Sequence, residues 1–450
     1  AEFYKFKNPE SNFNIILDSM HDNKLVFTPI SIEQLNNMNL EFKDGSTLET
    51  KYILIKEKKQ ENETKKELSD EYSWDHASKK GEVKCRVDNE NQLNVLFFNS
   101  FYVEGYNEKD IISRCAKLIH SNDYKTVIIT QQLWEGDNYP AYYYTQLLFP
   151  KIAVKFNMAM KQSELNQEFY ESNPENFLEA KTCRAFKDWN DFIEAEPDKY
   201  GDVEHKRTKI YIPFSMEKIN KINEERLSKL GLGHSKRATD VLILTDTVAY
   251  GAASNFMKTI QINGGAIIAS YGGNPKANKD TIKTLDASLD PADITTYENT
   301  TIHNALKEMG FDIYTMPFAE SFEMIENNTY PMAFVVNEVD EKTDIYHYYQ
   351  DTFIDEYTDE AKIIFEKYNA RCNPENSNLV FESNACVFSD DPYAHGGYQC
   401  GEEGSWDFTK CKKTYCDYGY FYNKLTDQCE KDECVASEII EINEIGRAHV

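Results

Sequence analysis

"VLILTDTVAYGAASNFMKTIQINGGAIIAS", residues 241–270, decides how the chain folds. The opening "DVLILTD" (240–246) is a continuous aliphatic run, which predicts a strand buried on both faces. "ASNFMKTIQIN" then carries apolar residues at helical spacing, and "GAIIAS" (265–270) is again a buried strand. A buried strand that turns sharply into a helix, followed by a second buried strand, implies an α/β sheet covered on both faces. Such a turn points backbone N–H groups at whatever lies above the sheet, and the helix dipole favours negative charge there.

The same rhythm extends outward. "LNVLFFNSF" (93–101) and "KTVIIT" (125–130) are buried strands flanking a helical stripe in "EKDIISRCAKLIHS". "AYYYTQLLFP" predicts a short helix ending near Pro150, and "TKIYIPF" (208–214) a strand. "MEKINKINEERLSKLG" (216–231) and "IHNALKEMG" (302–310) are amphipathic helices, the second followed by a strand in "DIYTMPF". "TDEAKIIFEKYNAR" (358–371) reads as the closing helix. Residues 86–371 are therefore expected to form an α/β domain. Upstream, "NLEFKDGSTLETKYILI" predicts a hairpin around Asp44-Gly45, followed by the charged, aperiodic insert "KEKKQENETKKELSDE".

Length and composition bound the function. At 450 residues, 41% hydrophobic and 13% aromatic, the chain can fill two or three ordinary cores. Its 76 acidic and 49 basic residues give a formal charge of −27, which excludes nucleic acid and anionic membrane as partners. No apolar run approaches the roughly 18 residues of a membrane-spanning helix, so no membrane insertion is expected. Of ten cysteines, Cys85, Cys115 and Cys183 are scattered, while Cys372, Cys386, Cys400, Cys411, Cys416, Cys429 and Cys434 crowd one segment. That density predicts a disulfide-rich module over 372–434 and a secreted, extracellular setting. The odd seventh cysteine calls for a partner among the scattered three or elsewhere. Cys411-x4-Cys416 and Cys429-x4-Cys434 are spaced too widely for most structural zinc sites, so disulfides are the simpler reading. Sequons at Asn62, Asn299 and Asn327 suit glycosylation there. Trp406, Tyr418, Tyr420, Phe421 and Tyr422 are either the small core of this module or a flat face for a glycan or protein partner. The ending "IGRAHV" (Ile445–Val450) translates ATC GGA AGA GCA CAC GTC, a sequencing-adapter read, so 435–450 is expected to be a tail with an adapter-derived end.

Taken together, "LNVLFFNSF", "TVIITQQLWEGDNYPAYYYTQLLFP" and "VLILTDTVAYGAASNFMKTIQINGGAIIASYGGNP" resemble the tail-specific, or C-terminal-processing, serine peptidases, and most closely their secreted eukaryotic branch with a PDZ-like N-terminal domain. The resemblance covers roughly 25–330 and implies a crotonase-like α/β peptidase domain behind a partial PDZ-like β region at 1–85. It further implies binding of extended peptide by strand addition, with a serine at the strand-to-helix turn and no cofactor.

Serine peptidases need an exposed hydroxyl, a base and oxyanion donors. The family's serine position falls on Ala252, or on Gly251 with one residue inserted, and neither carries a hydroxyl. Ser254 is the nearest one, but two or three residues further round a helix turn it by roughly 200° to 300°. Ser254 is thus expected to support the helix start, with an active endopeptidase built on it as the alternative. Lys276, 24 residues after Ala252, matches the spacing of a base lysine but lies in the polar loop "PKANKD". In histidine-using relatives the base lies early in the chain, and only His21, in "SMHDN", is so placed. The oxyanion loop corresponds to "QQLWEGDNYP", where Glu135 and Asp137 replace the expected second glycine and asparagine-rich run. Trp134, Gly136, Tyr271, Gly272 and Gly273 are expected to line the peptide groove. Three departures in separate segments predict a degenerate peptidase that keeps its groove. The further alternative is an extracellular binding or scaffold protein acting through the cysteine-rich module.

Overall fold

In the computed structural model, the chain divides into two compact units, Ala1–Glu71 and Tyr72–Val450. The described residues comprise four strands of the first unit, most of 73–131, 138–152, 157–213, 236–246, 251–272 and 339–431, the strands Leu289–Asp293 and Thr315–Phe322, and positions 304 and 308. The first unit contains two antiparallel hairpins. Ile16–His21 pairs with Lys24–Thr28, and Met38–Glu41 pairs with Thr47–Thr50 across the expected Asp44-Gly45 turn region.

The second unit is built on a seven-stranded sheet. Its elements in chain order are β1 (His76–Ala77), β2 (Val83–Asp88), β3 (Leu93–Phe98), α1 (Tyr106–His120), β4 (Lys125–Thr130), α2 (Asn138–Leu148), β5 (Val241–Asp246), α3 (Gly251–Ile262), β6 (Ile267–Tyr271), β7 (Glu341–Lys342) and α4 (Ile354–Tyr368). The strand order is β7-β6-β5-β4-β3-β2-β1. Strands β3 to β7 run parallel, while β2 and β1 join antiparallel at one edge. The β3–α1–β4 and β5–α3–β6 connections are the crossovers that parallel neighbours require.

Alternation along the strands explains the continuous apolar runs. Phe98, Ile128, Ile243 and Ile268 face one core with Ile112 of α1, Tyr144 of α2 and Phe256 of α3. Val95, Phe97, Val127, Ile129, Leu242, Leu244 and Ile267 face the other, beneath Ile354, Tyr357, Ala361, Ile364, Phe365 and Tyr368 of α4. Because successive side chains point to opposite faces, a strand covered on both sides must be apolar at every position. Each fully buried Leu, Ile or Phe contributes about 1.5–3 kcal/mol. The Cys85–Cys115 disulfide adds a covalent link between β2 and α1.

A second sheet, all antiparallel, orders Phe177–Glu179, Tyr211–Pro213, Asn157–Met160, Thr315–Phe322 and Leu289–Asp293. Tyr170, Phe177, Trp189, Phe192 and Tyr211 stack into an aromatic cluster beside it, with Phe177 and Tyr211 centroids 5.0 Å apart. The helix expected at 216–231 lies outside the described residues, as do nearly all of 302–310 and the insert around Asn62.

The cysteine-rich segment forms β8 (Phe381–Glu382), β9 (Ala394–Cys400), β10 (Trp406–Cys416), β11 (Tyr420–Asn423) and β12 (Gln428–Lys431). Cys372–Cys400, Cys386–Cys411 and Cys416–Cys429 cross-link it, making four disulfides with both partners described. Cys183 is also disulfide-bonded, and Cys434 lies outside the described residues. The pairs read as candidate zinc spacings are not each other's partners: Cys411 joins Cys386, and Cys416 joins Cys429.

Of the two readings of Trp406, core residue or part of a flat face, its burial fits the first. Only 5% exposed, it packs in the α4 core with its indole N–H donating to Tyr368 O at 2.9 Å. The segment is fastened elsewhere by Lys151–Glu382 (2.5 Å) and by Lys424 Nζ donating to Ile262 O at the end of α3.

Candidate active site at the strand ends

Parallel sheets present ligands at the carboxyl ends of their strands, where loops and helix N-termini converge. Three such ends lie level here. Thr245 of β5 stands opposite Thr130 of β4 and Ser270 of β6, and Asp246 stands opposite Tyr271. β5 ends at Asp246 and α3 begins at Gly251. The strand and the helix read from the sequence are therefore present, with α3 beginning two residues before the expected "ASNF"; residues 247–250 between them lie outside the described residues.

The side chains at this helix start differ from what hydrolysis requires. Ala252 and Ala253 are 1% and 0% exposed, and both belong to the core beneath α3. Ser254 is 0% exposed, and its Oγ has no hydrogen-bond partner among the described residues. A hydroxyl so enclosed is out of reach of solvent in this structure. It supports the helix start only by filling space, because it caps nothing.

Tyr271, expected to line the groove, sits in the core. It is wholly buried, donates its hydroxyl to Thr130 O at 2.8 Å, and meets Tyr357 edge-on at 5.0 Å between centroids. That leaves it no face for a peptide. Gly272, beside it, has φ +79°, which suits glycine, and donates its N–H to Ile345 O at 2.7 Å. Trp134, Gly136, Gly273, Lys276, Glu135 and Asp137 lie outside the described residues, as do Asn62, Asn299 and Asn327. His21 closes the first hairpin opposite Lys24.

Two buried ionisable side chains on β5 and α3 escaped the sequence reading. Asp246 is 2% exposed at the tip of β5, and Lys258 is 1% exposed one turn after Ser254 on α3. The available signals were an acidic residue ending an aliphatic strand and a lysine amid Phe256, Met257 and Ile260. Burial, then Glu356 and Asp246, push the Tyr357 hydroxyl well above the usual tyrosine range. Tyr357 thus stays a neutral donor, directed at His347 O at 2.9 Å. Among the described residues no group of three or more His, Cys, Asp and Glu is arranged to hold a metal. No helix there is long and apolar enough to cross a membrane.

No protein-family model matches the chain, and no curated protein matches it. Among solved structures, a protein from Parabacteroides merdae described as a candidate peptidase aligns with a TM-score of 0.31 and 9% identity, over 61% of this chain and 60% of that one. CPAF carrying a serine-to-alanine substitution aligns at 0.33 and 10%, over 66% and 54%. Mature CPAF complexed with lactacystin aligns at 0.31 and 8%, over 63% and 53%. The chain thus covers less than two thirds of each of these neighbours, and the likeness is too distant to assign a family or a reaction.

Proposed function

We propose that the chain is a secreted homologue of the tail-specific serine peptidases that binds extended peptide and does not hydrolyse it. In this reading, 86–371 is a crotonase-like peptidase domain, 1–85 a partial PDZ-like β region, and 372–434 a disulfide-rich module. The observation that carries the loss of hydrolysis is the helix start at α3. Where acyl transfer needs an exposed hydroxyl, the chain has Ala252 and Ala253, and the Ser254 hydroxyl is sealed inside the core. Peptide binding rests on the motif resemblance, since a groove that reads backbone does not require the serine. The disulfides support an extracellular setting.

Two measurements on the intact chain test this. A fluorophosphonate probe followed by peptide mapping is expected to leave Ser254 unlabelled, and labelling there overturns the loss of hydrolysis. Fluorescence anisotropy against a library of unstructured peptides is expected to give saturable binding, and no binding overturns the groove. A second reading, recognition by the cysteine-rich module, is favoured by Phe408 and Tyr393, which are 61% and 41% exposed. Saturation on a glycan array that survives the addition of excess peptide would support it.

A further inference from the structure

The outer side of β6 is closed by β7 and its flanking residues, 340–345, which form a short strap. Asp340 N donates to Ile268 O at 2.8 Å, Thr343 N donates to Ser270 O at 2.9 Å, and Gly272 N donates to Ile345 O at 2.7 Å. The strap therefore runs the length of the edge and ends at Gly272, beside the candidate site. Its first residue does more than pair. The Asp340 carboxyl accepts from Ile268 N at 2.8 Å through Oδ2 and from Asn376 Nδ2 at 2.7 Å through Oδ1, with Asn373 as a further side-chain donor. One buried carboxyl thus joins the sheet edge, the strap and the segment 373–379 that follows Cys372.

The orientation of this junction is fixed. Asn376 Oδ1 accepts from Asn378 N at 3.3 Å, so its amide nitrogen is the atom turned to Asp340. Gly264 lies against the same segment so closely that a Cβ there would stand 2.0 Å from Asn378 O.

The charge environment is one-sided. Strand β6 offers Asp340 only backbone, and 373–379 offers it two neutral amides. From the strap and α4 come Glu341, Lys367 and Tyr368, but the Lys367 ammonium and the Tyr368 hydroxyl are both engaged by Glu341. No cation engages the Asp340 carboxyl among the described residues. An enclosed carboxylate without a counter-charge is costly, while the same group protonated is not.

We propose that Asp340 is a proton-operated latch, holding the strap and the 373–379 segment to the sheet edge when neutral and loosening them when it ionises. Desolvation raises its carboxyl to about 7, with Glu341 pushing the same way against the three hydrogen-bond donors. The folded state then holds this proton more tightly than the unfolded chain does. The latch is fully set below about pH 4, and its contribution is lost as pH rises through about 7.

Hydrogen–deuterium exchange on the full, disulfide-intact chain tests the latch, read at peptides spanning 265–272 and 373–380 and corrected for intrinsic exchange. Between about pH 5 and about pH 8.5, protection at both peptides is expected to fall about tenfold or more, while the Cys85–Cys115 region stays constant. Asp340→Asn, which keeps the shape and one of the two acceptor oxygens without the titration, is expected to abolish that difference. Asn376→Ala removes a donor to the ionised form and is expected to move the midpoint upward. A flat wild-type profile overturns the proposal whether or not Asp340→Asn folds. So does an equal fall in wild type and Asp340→Asn.

Discussion

The hydroxyl of Ser254 costs the fold energy without return. A buried polar atom left unpaired is destabilising by about 1–3 kcal/mol. Ser254→Ala is therefore expected to leave stability unchanged or raise it by up to about 1 kcal/mol in a chemical denaturation series. A loss greater than that would mean the oxygen has a partner and a role. Gly264 presents the opposite case. Its φ of +63° and the 2.0 Å approach of Asn378 O leave no room for a methyl group. Gly264→Ala is expected to cost about 2–4 kcal/mol, read as a lower denaturation midpoint, because backbone strain and a clash with backbone add.

Helix α3 is held by its underside. Phe256 is 1% exposed and touches Phe98, Phe101 and Phe149 across the core, with centroid distances of 5.9, 5.3 and 6.3 Å. Phe256→Ala removes the ring that seats the helix on the sheet and is expected to cost about 3–5 kcal/mol in the same assay. A cost under about 1 kcal/mol would mean that α3 is anchored elsewhere. The disulfide between β2 and α1 acts on the unfolded chain instead. With its cysteines 30 positions apart in sequence, replacing both Cys85 and Cys115 by alanine is expected to lower stability by about 3–4 kcal/mol. Retention of the full unfolding midpoint in that double variant would refute the estimate. The same elements also mark what patterning can convey. β3, β4, β5, β6, α1 and α4 were legible because a strand buried on both faces is apolar throughout and a half-buried helix repeats every three to four residues.

At the scale of the molecule, one side chain organises the cysteine-rich segment. Lys413, 3% exposed, sends its ammonium to Asp390 Oδ2 at 2.9 Å and Asp427 O at 2.7 Å, with Asp391 Oδ2 at 3.7 Å. It thereby ties β10 to the loop after Cys386 and to the turn before Cys429, a cross-link parallel to the disulfides. Lys413→Met removes the cation and leaves the buried Asp391 with the Cys429 N–H donor alone among these contacts. It is expected to cost about 3–5 kcal/mol by thermal or chemical melting. An unchanged melting temperature would show the carboxylates to be adequately served without it. Nothing in "CKKTYC" distinguishes Lys413 from Lys412, because the partners arrive from residues 390 and 427, and register alone selects which lysine points inward. The sequence by itself determined the α/β class, the alternation of buried strands and helices, the helix start without a serine at 252 and a disulfide-rich end, since each depends on local period or on residue identity. Only tertiary structure decided that Ser254 is sealed, that Tyr271 and Trp406 are core, which cysteines pair, and that Asp340 and Lys413 are junctions. Those outcomes depend on which distant segments cover a given side chain, and burial by remote chain leaves no local pattern in the letters.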